Sequence, residues 1–72
     1  MKLKKAIRKA KTTKDFNWVA VDSNGEIYAY EKKPSTHTQP YYIDWDTNVG
    51  RMLHIGYYTG KKYWADTLRL VK

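Results

Sequence analysis

The chain has no cysteine. That excludes a disulfide framework and any thiolate metal site, so packing alone must hold it together. No apolar run approaches the roughly 20 residues that a membrane-spanning helix needs. No apolar segment follows the positively charged start, as a secretory signal peptide would require. A soluble, cytoplasmic protein is therefore expected. Phosphate-binding glycine loops and the G-x-S-x-G frame of an activated serine are also missing. Acidic residues are absent from one region: none occurs among residues 1–14.

What is present starts with that region. MKLKKAIRKAKTTK holds seven bases, Lys2, Lys4, Lys5, Arg8, Lys9, Lys11 and Lys14. The formal net charge of the whole chain is +7. From Asp15 onward seven acids meet seven bases, so the body is neutral and the excess belongs to one terminal segment. Leu3, Ile7 and Ala10 recur at helical spacing with Ala6 beside them, which predicts a helix over 2–12 with one narrow apolar stripe. Alone, such a helix is marginal in water, and its neighbouring cations repel one another. It needs a sheet to dock on or a polyanion to bind. Thr12 and Thr13, both β-branched, end it.

The 72 residues make one domain, with residues 1–14 as the basic helix and 15–72 as the neutral body. Its packing material is aromatic: three Trp, seven Tyr and one Phe. A homo-oligomer sharing one core between copies is a second way to bury so many rings. Phe16 to Val21 alternates like a strand, with Phe16, Trp18 and Ala20 on one face and Asn17, Val19 and Val21 on the other. Glu26 to Lys32 is the next strand, with Ile27 and Ala29 opposite Tyr28 and Tyr30. Between them DSNGE carries Asn24-Gly25, a strong hairpin signal because both residues tolerate positive φ. Lys33 to Gln39 reads as a loop and Tyr41 to Asp46 as a third strand. Arg51 to Tyr58 is a fourth, with Leu53, Ile55 and Tyr57 opposite His54, Gly56 and Tyr58. A short helical turn near 64–67 leads into extended chain. The expected fold is α+β: a basic amphipathic helix packed on a small antiparallel sheet of four to five strands, open or curled into a small barrel.

Chemistry-bearing residues are sparse. DSNGEI shares alternating Asp, Asn and Gly with a calcium-binding loop, and Glu31 falls at the closing position. The first ligand position would be Ala20, which has no side-chain oxygen, and the flanks alternate as strands, so a hairpin is the better reading. His37 and His54 have no recognised metal spacing, even with Asp44 and Asp46 sharing a strand face. No catalytic residue, metal or cofactor is expected, and the chain reads as non-enzymatic. Trp18, Trp45 and Trp64 are expected in the core. Tyr28 and Tyr30 share a face with which Tyr57 can align, and exposed tyrosines anchor binding surfaces.

NWVAVDSNGEIYAYEKKP, followed by an Ile55-Gly56 strand and a late Trp64…Leu68, resembles the small accessory proteins of tailed bacteriophages. The likeness covers most of residues 16–68 through hairpin chemistry and carries no functional residue over. It implies a non-enzymatic protein that occupies a surface on a host machine or a defence component, as an inhibitor does, in the host cytoplasm. The expected contact surface combines Lys4, Lys5, Arg8, Lys9 and Lys11, which steer, with Tyr28, Tyr30 and Tyr42, which anchor. The partner is then a host protein or complex with an acidic surface. The alternative partner is DNA or RNA, with the basic arm on phosphates. A membrane is not expected, because the apolar stripe has no aromatic anchor.

Overall fold

A computed structural model describes residues 1–13, 15–34 and 50–71. Helix α1 spans Leu3–Ala10 and the strands are β1 (Trp18–Val21), β2 (Glu26–Tyr30), β3 (Met52–Tyr57) and β4 (Arg69–Leu70). They form one antiparallel sheet in the order β3-β2-β1-β4 with α1 packed on one face, an α+β domain. The strand expected at Tyr41–Asp46, most of the expected loop before it, Tyr42, Trp45 and His37 lie outside the described residues.

The helix is shorter than its sequence pattern by a residue or two at each end. Thr12 and Thr13 stop it and also serve its last carbonyls. Thr12 Oγ1 donates to Lys9 O at 2.6 Å and Thr13 Oγ1 to Ala10 O at 2.9 Å. Each carbonyl also accepts the backbone N–H of the same threonine, at 3.2 and 3.1 Å, so the last turn is closed by i to i+3 bonds and the hydroxyls add to them. At the other end no acid offsets the helix dipole. The chain is tied down instead: the N-terminal amine donates to Tyr57 O, and Thr59 N donates to Met1 O at 3.0 Å. Ala6 and Ala10 are fully buried against the sheet, with Met1, Leu3 and Ile7 half-buried around them. Alanine at the two closest positions lets the helix backbone approach the strands.

The hairpin joining β1 and β2 turns at Asn24-Gly25 as expected. Gly25 N donates to Asp22 O at 2.9 Å, closing a four-residue turn over Ser23 and Asn24. Only Gly25 has positive φ, at 90°. A turn followed by a left-handed glycine is the three-residue hairpin solution. Asn24 contributes through its side chain, since its Oδ1 accepts from Glu26 N at 3.0 Å. Gly50, also at φ 90°, leads into β3 where a Cβ would lie 2.7 Å from Glu31 Oε1.

The two faces of the sheet have separate cores. Val19, Val21, Ile27, Ala29 and Ile55 lie under α1, joined by Phe16 and Val71. Ala20 and Tyr30 centre the other face, with Trp18, Tyr28, Met52, Trp64 and Leu68 packed around them. Phe16 thus sits with the helix, not with Trp18 and Ala20. It precedes the first residue of β1, so strand alternation does not govern it. Trp18 and Trp64 are half-buried parts of the second core.

Alternation also breaks within β3. Ile27 faces Gly56, but Tyr28 faces His54, which leaves Ile55 as the extra residue of a β-bulge. Beyond the bulge Tyr57 faces Glu26 and returns to the side of His54 and Tyr28. The expected grouping of Tyr57 with Leu53 and Ile55 is therefore corrected: one extra residue inverts the parity.

After β3 the chain makes a single 3-10 turn, Trp64–Asp66, and then extends, as the sequence pattern predicts; the extended residues are β4, which the fold pairs with β1. The buried Thr67 joins these parts. Its Oγ1 accepts from Val21 N at 2.9 Å and donates to Trp64 O at 2.6 Å. Thr67→Val keeps the shape and removes the hydroxyl from both bonds, while Trp64 O keeps the Thr67 N–H at 3.2 Å. Urea unfolding should show a loss of about 1–3 kcal/mol. Thr67→Ser, which keeps the hydroxyl, should lose clearly less.

Candidate binding surfaces

The outer side of α1 carries Lys4, Lys5, Arg8, Lys9 and Lys11, all exposed. Residues three and four apart stand about 5–6 Å from each other on a helix, so these cations form a continuous stripe. Lys4, Ile7, Arg8 and Lys11 line one shallow groove; Lys5, Arg8, Lys9 and Thr12 line another. Ile7 is half-buried and gives the first groove an apolar side.

Ion pairs between described residues lie elsewhere. Arg51 joins Asp15 at 2.9 Å and Glu31 at 3.0 Å, and His54 lies 3.6 Å from Glu26. Lys4, Lys5, Arg8 and Lys11 thus meet no carboxylate among the described residues. Lys9 differs. Its Nζ donates to Ile55 O at 3.1 Å, at the bulge. The extra residue of a bulge lacks a place in the ladder, and Lys9 supplies a donor there. This gives Lys9 a structural task that helix periodicity does not reveal.

Tyr28 and Tyr30 do not join this stripe. Tyr28 and Tyr30 point to the sheet face opposite α1. Tyr30 is 0% exposed, so its expected role as a surface anchor is corrected. The reason lies in its cross-strand neighbours, Trp18 on β1 and Met52 on β3, which close over it from both sides. Tyr28 lies between Ala20 and His54, and the small alanine leaves it half-buried. Tyr42 lies outside the described residues.

A second cluster surrounds Tyr28. Its ring meets His54 edge to face at 5.1 Å, and His54 meets Tyr57 likewise at 5.3 Å. Glu26 closes the group: Oε2 accepts from Asn24 Nδ2 at 3.0 Å and from Tyr28 Oη at 3.4 Å. Partial burial, and then the charges of Glu26 and Asp22, hold the Tyr28 phenol above its ordinary range. Tyrosines on β2 signal half of this cluster in the sequence. The His54 and Tyr57 half depends on the bulge. No group of three or more metal-ligating side chains occurs among the described residues, and none of their helices is long and apolar enough to cross a membrane. No family model, curated protein or solved structure matches this chain.

Proposed function

We propose that this chain is a non-enzymatic, phage-type binding protein that acts in the host cytoplasm by stoichiometric contact with a host protein or complex. The outer side of α1 docks on an acidic surface of that partner. One observation carries the reading: four cations on a docked helix have no carboxylate neighbour among the described residues, while residues 15–72 have no formal net charge. Charge so placed steers association.

A nucleic acid would also meet these cations. Single strands are recognised on stacking platforms beside the charge, and here the exposed ring of Tyr57 lies on the other side of the sheet. The groove flanked by Ile7 mixes an apolar wall with cations, which suits acidic protein side chains better than phosphodiesters. Contact through Tyr28 does not belong to this patch.

The test uses one variant, with Lys4, Lys5, Arg8 and Lys11 all changed to Gln. These side chains are exposed and repel one another, so thermal stability should not fall. Capture of a specific partner from nuclease-treated host lysate should be lost, while the unaltered protein retains it. Equal capture by both sinks the proposal. A gel shift with duplex at physiological ionic strength, abolished in the same variant, would transfer the helix to the nucleic-acid reading.

A further inference from the structure

The face turned away from α1 carries an arrangement that the helix does not use. Tyr28, His54 and Tyr57 form a row of three rings, successive members nearly perpendicular, at interplanar angles of 78° and 68°. Tyr57 is 63% exposed, a large ring surface left to solvent. Glu26 stands across the strand pair from Tyr57 and accepts from the Tyr28 hydroxyl. Among the described residues no Lys or Arg pairs with Glu26; its ionisable neighbours are His54 and the Tyr28 phenol. In a chain of formal net charge +7, this is a site of negative charge and exposed π faces.

We propose that Glu26, Tyr28, His54 and Tyr57 form a receptor for an arginine side chain presented by a protein partner. A ring face attracts a cation through its quadrupole, and Arg is favoured because its planar guanidinium stacks while still donating hydrogen bonds. Tyr57 supplies the stacking surface. Glu26 accepts the guanidinium N–H groups with the lone pairs that Asn24 and Tyr28 leave open, since an ionised carboxylate has about four acceptor sites. Tyr28 and His54 set the position of both: the Tyr28 hydroxyl and Asn24 amide hold the carboxylate, and the His54 edge packs against Tyr57. His54 and Tyr57 are exposed, so a side chain presented on a partner's surface can reach them. The bulge at Ile55 assembles it, because without the extra residue Tyr57 would face α1.

The experiment is an NMR titration of the full chain with N-acetyl-arginine amide, read on the ring signals of Tyr28, His54 and Tyr57. N-acetyl-citrulline amide, of the same shape without the charge, is the control. Saturable shifts with the arginine compound and none with citrulline are expected. Tyr57→Ala, at an exposed position, should weaken binding about two- to fivefold, the range for an exposed cation–π contact. Glu26→Gln should weaken it at least as much, and if that variant lowers the melting transition, Tyr57→Ala decides. No saturable shift, equal shifts with citrulline, or unchanged binding in Tyr57→Ala each overturns the proposal. The α1 variant with four glutamines should bind as the unaltered protein does, so the two surfaces fail or stand separately.

Discussion

Removing residues 1–13 is expected to abolish the cooperative unfolding transition. The helix packs on one face of the sheet, and its loss exposes Val19, Val21, Ile27, Ala29 and Ile55 together. Fully exposing such a side chain costs about 1.5–3 kcal/mol for the larger ones. A domain this small has only about 3–5 kcal/mol of net stability from its core, so the deficit exceeds what is there. The ties of Met1 to Tyr57 and Thr59, and of Lys9 to Ile55, go as well. Near-UV circular dichroism and tryptophan fluorescence of the truncated chain should lack native features. A truncated protein that keeps a cooperative melt would show instead that the basic segment is a separable arm. Deletion is therefore the wrong way to probe the charge on α1. The four-glutamine variant removes that charge and leaves the apolar stripe in place.

Tyr30→Ala should be the most damaging single change described, at about 3–5 kcal/mol by analogy with large aromatic-to-alanine substitutions in cores. Tyr30 is the largest fully buried side chain among the described residues, seated between Trp18 and Met52. Its loss leaves a ring-sized cavity in the second core. On a small domain this leaves a substantial unfolded fraction at 25 °C, visible in the baseline of a urea titration. Tyr57→Ala is the comparison on the same face. At 63% exposure it should stay within about 0.5 kcal/mol of the unaltered chain. If Tyr30→Ala behaved as mildly, the second face would have no true core, and its cluster would be a loosely packed surface.

These two tyrosine positions show where the sequence was legible and where it was not. Alternation along Glu26–Tyr30 correctly puts Tyr28 and Tyr30 on one face, because successive side chains of a strand point to opposite sides. It says nothing about what lies over each position. That depends on residues brought from β1 and β3, distant along the chain. The same limit applies to the proposed contact surface. The basic helix and the tyrosines of β2 are both visible in sequence, but a sheet stands between them.

Local chemistry did determine several elements. Helical spacing of Leu3, Ala6, Ile7 and Ala10 marks α1 and its buried side. Asn24-Gly25 marks the first hairpin, with the glycine doing what only a residue free of a Cβ does easily. The segment after Tyr63 reads correctly as a turn followed by extended chain. The concentration of charge before Asp15 is likewise a fact of sequence alone. Periodicity, turn residues and charge are properties of near neighbours, so a linear reading recovers them.

Tertiary structure decided the rest. It placed the bulge at Ile55, which moved Tyr57 beside His54 and gave Lys9 a carbonyl to serve. It moved Phe16 under the helix and made Thr67 the buried link between Val21 and Trp64. It docked α1, so that the lysines became the wet side of a structural helix and not a free arm. Each of these depends on register between strands or on contact across many residues. Such choices are made by the packing energy of the whole domain, which no local pattern encodes.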